Sequence, residues 1–398
     1  MKYNFDQPVQ RRGTNSAKWD AGKLLVAMGI TPYADENTLP LFTADMDFQC
    51  PPSVKEEIQK VVDHNLYGYT TTHPSFNPGY YQAVAGWFAR RHNWQVSPEE
   101  IWYVDGTVTA IRHGLLAFSN PGDGVLINRP IYTPFTRTIL ATGRQVVNSQ
   151  LINNNGYYTI DFADFEQKAA LPTTKCFILC NPHNPTGRIW SDKDLVKMYE
   201  ICAKNQVVVI ADEIHGDLIR QSSVFHPLAT LVDGQWLVTC TAANKTFNLA
   251  GLKATNVVIQ NKELFQKYAA QTGIIFPSPV TLAATVGAYN GGEEWLEELK
   301  TYLDGNVDWV LEFCREHLPK MKCTRPEATY ILWMDFRGYG LSAEEIRKKI
   351  YVDANVVLEG GSMFDPDQGA GFERICLSTR REIVREAFER IAKQFEGL

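Results

Sequence analysis

Three short polar clusters, each directly after an apolar run, hold the side chains of this 398-residue chain best suited to covalent chemistry. The first is Asn181-Pro-His-Asn184-Pro-Thr-Gly187, after the run CFILC (176–180). A Pro-flanked turn at a strand end can hold an Asn amide at fixed height over a ligand. The same residues also describe an ordinary Asn-Pro turn, a reading that the doubled form weakens. The second cluster, Asp212-Glu213-Ile214-His215, closes the run QVVVIAD. A partly buried carboxylate there can pair with a heteroaromatic nitrogen and keep it protonated, as a pyridine-type electron sink requires. Asp, Glu and His are also metal ligands, but three of them within four residues do not share one face of a strand, so no metal is expected. A plain capping role for the Asp is compatible with either reading. The third cluster, Thr241-Ala-Ala-Asn244-Lys245, begins at the end of the run WLVTCTA (236–242). An amine at a strand end beside other cations is a candidate for a lowered pKa and for attack on an aldehyde. Alone, a Lys is usually a surface charge; its place after two other strand-end clusters argues otherwise. A weaker fourth signal is Asp105-Gly106-Thr107-Val108, between IWYV and the helical AIRHGLLAF, where amides at a helix start could take a phosphate.

The elements that must position these groups alternate. GVLIN (124–128), CFILC, QVVVIAD and WLVTCTA read as strands buried on both faces, the mark of a largely parallel sheet. Between two of them, SDKDLVKMYEICAKN (191–205) opens on Ser191, a good N-cap, and sets Leu195, Met198, Tyr199 and Cys202 on one face. Strand, helix and strand in alternation predict a doubly wound α/β domain with its ligand at the carboxyl ends of the strands. From residue 291 the pattern changes. A long amphipathic stretch (291–318) leads to strand-like TYILWMDF (329–336), helix-like SAEEIRKKIYVD (342–353), a Gly-rich loop (360–371), strand-like FERICLST and a last helix. The expected division is an N-terminal segment (1–48) joining a small α+β domain (291–398), with a large ligand-binding domain (49–290) between.

Composition removes several classes of function. Basic and acidic residues number 39 and 45 and are spread along the chain, for a net charge of −6, so no nucleic-acid-binding face is expected. No run has signal-peptide character or approaches the length of a membrane span, which points to a cytoplasmic protein without membrane contact. The eight cysteines have neither Cys-x-x-Cys nor His-rich spacing and read as reduced thiols. No period of repeat length and no low-complexity stretch occurs.

Taken in order, the clusters resemble the fold-type-I pyridoxal 5'-phosphate enzymes, most closely the MalY/PatB group of cystathionine β-lyases. The resemblance runs nearly end to end. It includes Arg12-Gly-Thr-Asn-Ser-Ala-Lys-Trp-Asp20, Thr43-Ala-Asp-Met-Asp-Phe48, Tyr67-Gly-Tyr-Thr70, Tyr132-Thr-Pro-Phe135 and the NPHNPTG, DEIH and KTFNLAGL motifs. It implies an aspartate-aminotransferase-like α/β fold: a mostly parallel seven-stranded sheet in the large domain, and a smaller α+β domain. It implies that Lys245 carries pyridoxal phosphate as a Schiff base and moves the Cα proton, that Asp212 pairs with the ring nitrogen, and that Tyr132 stacks on the ring. Asn184 and His215 would lie near the phenolic oxygen. Gly106, Thr107, Val108, Thr241, Asn244 and Lys253 would form the phosphate cup, with Tyr69 entering from the second subunit of a homodimer. Arg374, Asp45 and Asn184 would meet the amino-acid substrate, Arg374 through its α-carboxylate. Three positions depart from the family pattern: Asn244 stands in place of Ser or Thr, Thr109 in place of Pro, and Cys376 in place of Asn. The implied reaction is β-elimination from cystathionine and related S-substituted cysteines, giving a thiol, pyruvate and ammonia. The core motifs also fit an aminotransferase of aromatic or broad specificity. A purely regulatory binding protein is the third alternative; the chain shows no appended helix-turn-helix domain.

Overall fold

The computed structural model describes residues 2–398. Its larger sheet has seven strands: β1 (Ile101–Asp105), β2 (Gly124–Ile127), β3 (Gln145–Asn148), β4 (Thr174–Cys180), β5 (Val208–Asp212), β6 (Leu237–Thr241) and β7 (Ala254–Val258). Their spatial order is β1-β7-β6-β5-β4-β2-β3, and only β7 runs antiparallel to its neighbours. Side chains alternate between two buried faces. Cys176, Ile178, Val208 and Ile210 pack on one side with Ala110, Ile111 and Leu115 of the helix Thr107–Phe118. Phe177, Leu179, Val209 and Ala211 pack on the other with Leu195, Met198, Tyr199 and Cys202 of the helix Asp192–Lys204. Burial on both faces is why these strands are unbroken apolar runs. The latter helix starts as its sequence predicts, with Ser191 Oγ accepting from the Asp194 amide at 3.1 Å.

The register places the strand ends at one level. Cys180 is paired with Asp212, and Asp212 with Cys240. The carboxyl ends of β1, β4, β5 and β6 therefore open on the same edge, where the three polar clusters meet.

A second, antiparallel sheet contains β8 (Lys322–Cys323), β9 (Ile331–Asp335), β10 (Glu359–Gly360) and β11 (Phe372–Cys376), in the order β8-β9-β11-β10. Leu332, Met334 and Ile375 bury one of its faces against the long helix Glu293–His317 and the last helix Arg381–Phe395. The N-terminal segment joins this region, since Leu39–Pro40 pairs in parallel with Val356–Val357. SAEEIRKKIYVD is helical as read, opened by a capping box in which Ser342 Oγ accepts from the Glu345 amide and the Glu345 carboxylate accepts from the Ser342 amide. Its second half winds into a π-helical turn, Lys348–Asp353. No helix among the described residues is long and apolar enough to cross a membrane.

Candidate active site

A cavity of about 450 Å³ lies at the shared edge of β1, β4, β5 and β6. Its walls include Gly106, Thr107, Val108, Tyr132, Asn184, Asp212, His215, Asn244, Lys245 and Lys253. Ten of the residues singled out in the sequence thus meet in one space.

Lys245 sits in a single helical turn, Ala243–Thr246, directly after β6. Its Nζ donates to the Ala44 carbonyl oxygen at 2.7 Å. Burial, reinforced by the nearby Arg374 charge, lowers its pKa from the ordinary lysine value. Ala44 is held in turn by a network that the sequence did not reveal. Asn248 Nδ2 donates to the Met46 and Phe48 carbonyls at 3.2 and 2.8 Å, and its Oδ1 accepts from the Met46 amide at 3.3 Å. Lys18, fully buried, donates to Asp47 at 2.8 Å, Trp19 Nε1 donates to the same carboxylate at 2.8 Å, and Arg11 is ion-paired to Asp45 at 2.7 Å. The two N-terminal motifs therefore lock together and present one backbone carbonyl to the lysine.

Asp212 ends β5 and is buried. Its side chain accepts one long bond, from the Ile214 amide at 3.3 Å, and forms no ion pair; the Lys245 charge offsets its burial only in part. Burial pushes its pKa up to about 7. Glu213 points to the other side of the strand, where Oε1 accepts from the Leu228 amide at 2.8 Å, so Asp212, Glu213 and His215 do not converge on one point. His215 is buried with Nδ1 unpartnered, and burial, with the Lys245 and Arg374 charges, drops its pKa to about 3. The neutral imidazole is thus the form present across the physiological range. Asn244 Oδ1 is also buried without a partner. Burial raises the Tyr132 phenol above its usual pKa, and the ring packs edge-on to Phe135.

The phosphate-type cradle is built by Gly106, whose φ of +99° only glycine adopts freely, followed by the helix Thr107–Phe118. The first amides of that helix have no intrahelical acceptors, and their residues Thr107, Val108 and Thr109 line the same cavity as Lys253. Asn184 is placed by the turn after β4. Asn181 Oδ1 accepts from the Trp190 amide at 3.1 Å, and Gly187 (φ +69°) lies so close to Pro326 that a Cβ there would meet its Cβ at 2.5 Å.

Four residues named from sequence do not line the cavity. Thr241 Oγ1 turns away to the Asn256 carbonyl at 3.4 Å, and the Asp45 carboxylate is taken by Arg11. Tyr69 is 92% exposed and packs on Phe276. Arg374, 2% exposed, adjoins the cavity from β11: its Nη1 donates to Asn184 Oδ1 at 3.4 Å, Nη2 pairs with Glu359 and the Phe42 carbonyl, and Nε has no partner. Residues missed from sequence include Ala44, Cys180, Ile214 and Ala250, which shape the walls. Their contribution is through backbone and bulk, for which residue type carries little signal.

A half-buried amine, a buried carboxylate without an ion pair, unpartnered His and Asn atoms and an anion cradle with its own lysine make a coherent set. They fit an anionic heteroaromatic aldehyde with a protonatable ring nitrogen, which is the chemical description of pyridoxal phosphate, and so define an enzyme site of the lysine–carboxylate kind. The chain belongs to the aminotransferase class I and II family, whose model matches residues 36–391. It is 38% identical over 394 residues, 98% of both chains, to cystathionine β-lyase PatB of Bacillus subtilis. Among solved structures it is similar to cystalysin of Treponema denticola, which contains pyridoxal 5'-phosphate (TM-score 0.92, 30% identity, 100% and 99% coverage). It is also similar to the pyridoxal-phosphate-bound C-S lyase of Staphylococcus hominis (TM-score 0.90, 31% identity, 100% and 99% coverage). These likenesses confirm the aspartate-aminotransferase-like α/β fold expected from the motifs.

Proposed function

We propose that this chain is a pyridoxal-phosphate-dependent carbon–sulfur β-lyase that takes cystathionine and related S-substituted cysteines. With one water consumed, the thioether R–S–CH2–CH(NH3+)–COO− gives the thiol R–SH, pyruvate and ammonium. The observation that carries this reading is the half-buried Lys245 amine in one cavity with Asp212, in a chain matched over its length by a cystathionine β-lyase.

When bound, the pyridoxal group supplies the electron sink for the pair left at Cα when its proton departs. The residues then divide the work. Lys245 Nζ would hold the aldehyde carbon. Once displaced by the substrate amine, it would take the Cα proton, a task for which burial favours its neutral form. Asp212 would hold a proton at the ring nitrogen; the pairing also relieves its own uncompensated burial. Tyr132 would give the ring an aromatic face. Asn184 and the neutral His215 would lie at the phenolic oxygen. The amides of Thr107 and Val108, with Lys253, would hold the phosphate against the helix dipole. Arg374, with Nε free, would bind the α-carboxylate. Asp45 would act through its backbone, Asn244 from the cavity wall, and Thr241 from behind the phosphate cup.

Exposed Tyr69 packs on exposed Phe276, and their chain neighbours Leu66, Tyr67 and Ile274 are exposed as well. Such exposure supports a homodimer in which Tyr69 reaches the partner's cavity. The eight unpaired cysteines fit a reducing compartment, and we place the protein in the cytoplasm.

Purified holoenzyme given L-cystathionine should release homocysteine and pyruvate in equal amounts without an added keto acid. Turnover that requires a keto acid and leaves the C–S bond intact would identify an aminotransferase instead.

A further inference from the structure

Lys245 stands in a single turn, Ala243–Thr246, that has no side-chain cap. So short a helix is not held by its own hydrogen bonds, and both of its flanks are tied down from outside. On one flank Asn248 is bonded to the 46–48 segment. On the other, Thr246, fully buried, donates from Oγ1 to Asp217 Oδ2 at 3.1 Å.

Asp217 collects further donors. Trp87 Nε1 donates to both of its oxygens, at 3.1 and 3.2 Å, and His92 Nε2 donates to Oδ1 at 2.9 Å. The Asp217 side chain is only 10% exposed. Burial pushes its pKa up, but the bonds from His92 and Thr246 and the His92 and Arg91 charges outweigh that and hold the carboxyl below its ordinary value. It is therefore a carboxylate, and hydrogen bonds to an ionised acceptor are the strong kind. Trp87 and His92 both belong to the helix Pro78–His92. Trp87 also packs edge-on to Phe247, with 5.5 Å between ring centroids. The same helix thus grips the chain at Thr246 through Asp217 and at Phe247 directly.

Asp217 lies on the segment that begins with Asp212. The segment is tightly wound, since the Gly216 and Leu218 amides donate to the Glu213 and His215 carbonyls, both at 2.9 Å. Among the described residues the Thr246–Asp217 bond is the only side-chain hydrogen bond between residues 212–218 and residues 243–248. Asp212 and Lys245 line the cavity, whereas Asp217 does not. In the proposed site these two residues grip opposite ends of one rigid ring, so their separation decides how well either engages it.

We propose that Asp217 is a positioning residue for Lys245: through Thr246 Oγ1 it fixes the lysine turn against the segment that carries Asp212, while Trp87 and His92 hold the carboxylate in place. This inference rests on the cofactor reading above and adds to it a residue that touches neither cofactor nor substrate.

The test compares wild-type holoenzyme with Thr246→Val, Thr246→Ser and Asp217→Asn. Valine keeps the shape of threonine and removes the hydroxyl, leaving Asp217 its bonds from Trp87 and His92. Its kcat on L-cystathionine should fall about ten- to a hundredfold with KM changed by no more than about twofold, as expected when a reacting group is displaced without loss of a substrate contact. The visible-band circular dichroism per bound cofactor, which reads how firmly the ring is oriented, should fall as well. Serine restores the hydroxyl and should recover most of both signals; Asp217→Asn, which weakens all the donors together, should lose at least as much as valine. Thr246→Val holoenzyme with wild-type kcat and dichroism and only a lowered unfolding temperature would show that the bond merely supports the fold, and would overturn the proposal. Serine as impaired as valine would overturn it too. Should Asp217→Asn fail to fold, the two Thr246 variants decide alone. The dichroism needs no substrate, so it decides the matter even if the wild type releases no pyruvate and the lyase reading fails.

Discussion

Replacing Asp212 by Asn should stabilise the cofactor-free protein while disabling the holoenzyme. In the free protein this carboxylate is buried with one long hydrogen bond and no ion pair, and the Lys245 charge offsets that burial only in part. Burial raises its pKa from 3.8 to about 7. An acid whose folded pKa is raised contributes its full share of stability below the unfolded value and loses it as pH climbs toward the folded one. The window is therefore about pH 4 to 7. The ceiling of the loss is about 4 kcal/mol, from roughly three pK units at 1.36 kcal/mol each. Asn carries no charge and keeps the acceptor for Ile214, but its amide hydrogens lack acceptors, a cost of about 1–3 kcal/mol. The net gain at pH 8 is then about 1–3 kcal/mol, and at pH 5, where Asp212 is mostly protonated, it vanishes or reverses. Calorimetry of both cofactor-free proteins at the two pH values reads this directly. The neighbouring Glu213 is pushed up to about 8 by burial and, less, by the Asp212 charge, so removing that charge adds to the gain at pH 8 in the same direction. In the holoenzyme the same variant should lose at least about a hundredfold in kcat, or about 2.7 kcal/mol of barrier. A variant whose unfolding temperature falls equally at pH 5 and pH 8 would refute the reasoning, because the carboxylate would then not be an uncompensated charge.

Other consequences follow from the same geometry. Arg374→Lys should raise KM for the amino acid about tenfold or more with a smaller change in kcat, since an ammonium cannot replace a planar fork; steady-state kinetics checks this. Asn248→Ala removes three hydrogen bonds to the 46–48 segment and should cost about 2–3 kcal/mol, seen as a lowered unfolding temperature with reduced kcat as Ala44 loosens. Gly187→Ala should lower stability by at least about 2 kcal/mol, because it adds a Cβ at positive φ against Pro326. Tyr69→Ala should lower holoenzyme activity and cofactor affinity while leaving the single-chain fold intact, as read by equilibrium dialysis and circular dichroism; sedimentation of the wild type should show a dimer.

What could be read from sequence was what burial writes into residue type. β2, β4, β5 and β6 are largely apolar because both faces are covered, and the polar residues at their carboxyl ends form the site. β7 was not recognised, since its buried Thr255 and Asn256 break the apolar run; Thr255 Oγ1 pairs with Thr107 Oγ1 at 3.0 Å and Tyr80 Oη donates to Asn256 Oδ1 at 2.7 Å, while Asn256 Nδ2 has no partner. β3 was missed as well, being a half-exposed edge strand that starts at Gln145. Within the site, residues that act through a charge or a ring were found. Ala44, whose carbonyl receives Lys245, was not, because any residue supplies a carbonyl. Asp45 and Thr241 were named for side chains that the fold turns elsewhere, toward Arg11 and toward the Asn256 carbonyl. The link between Arg374 and Glu359 joins cross-strand neighbours, and only the pairing of β10 with β11 reveals it.

The central claim is that one half-buried amine, Lys245, holds the cofactor covalently. Borohydride reduction of the reconstituted protein, followed by proteolysis and mass spectrometry, tests it most directly. A pyridoxyl label on Lys245 alone, absent from Lys245→Ala, is the expected result; a protein that takes no label, or takes it on Lys253 or elsewhere, would contradict the account.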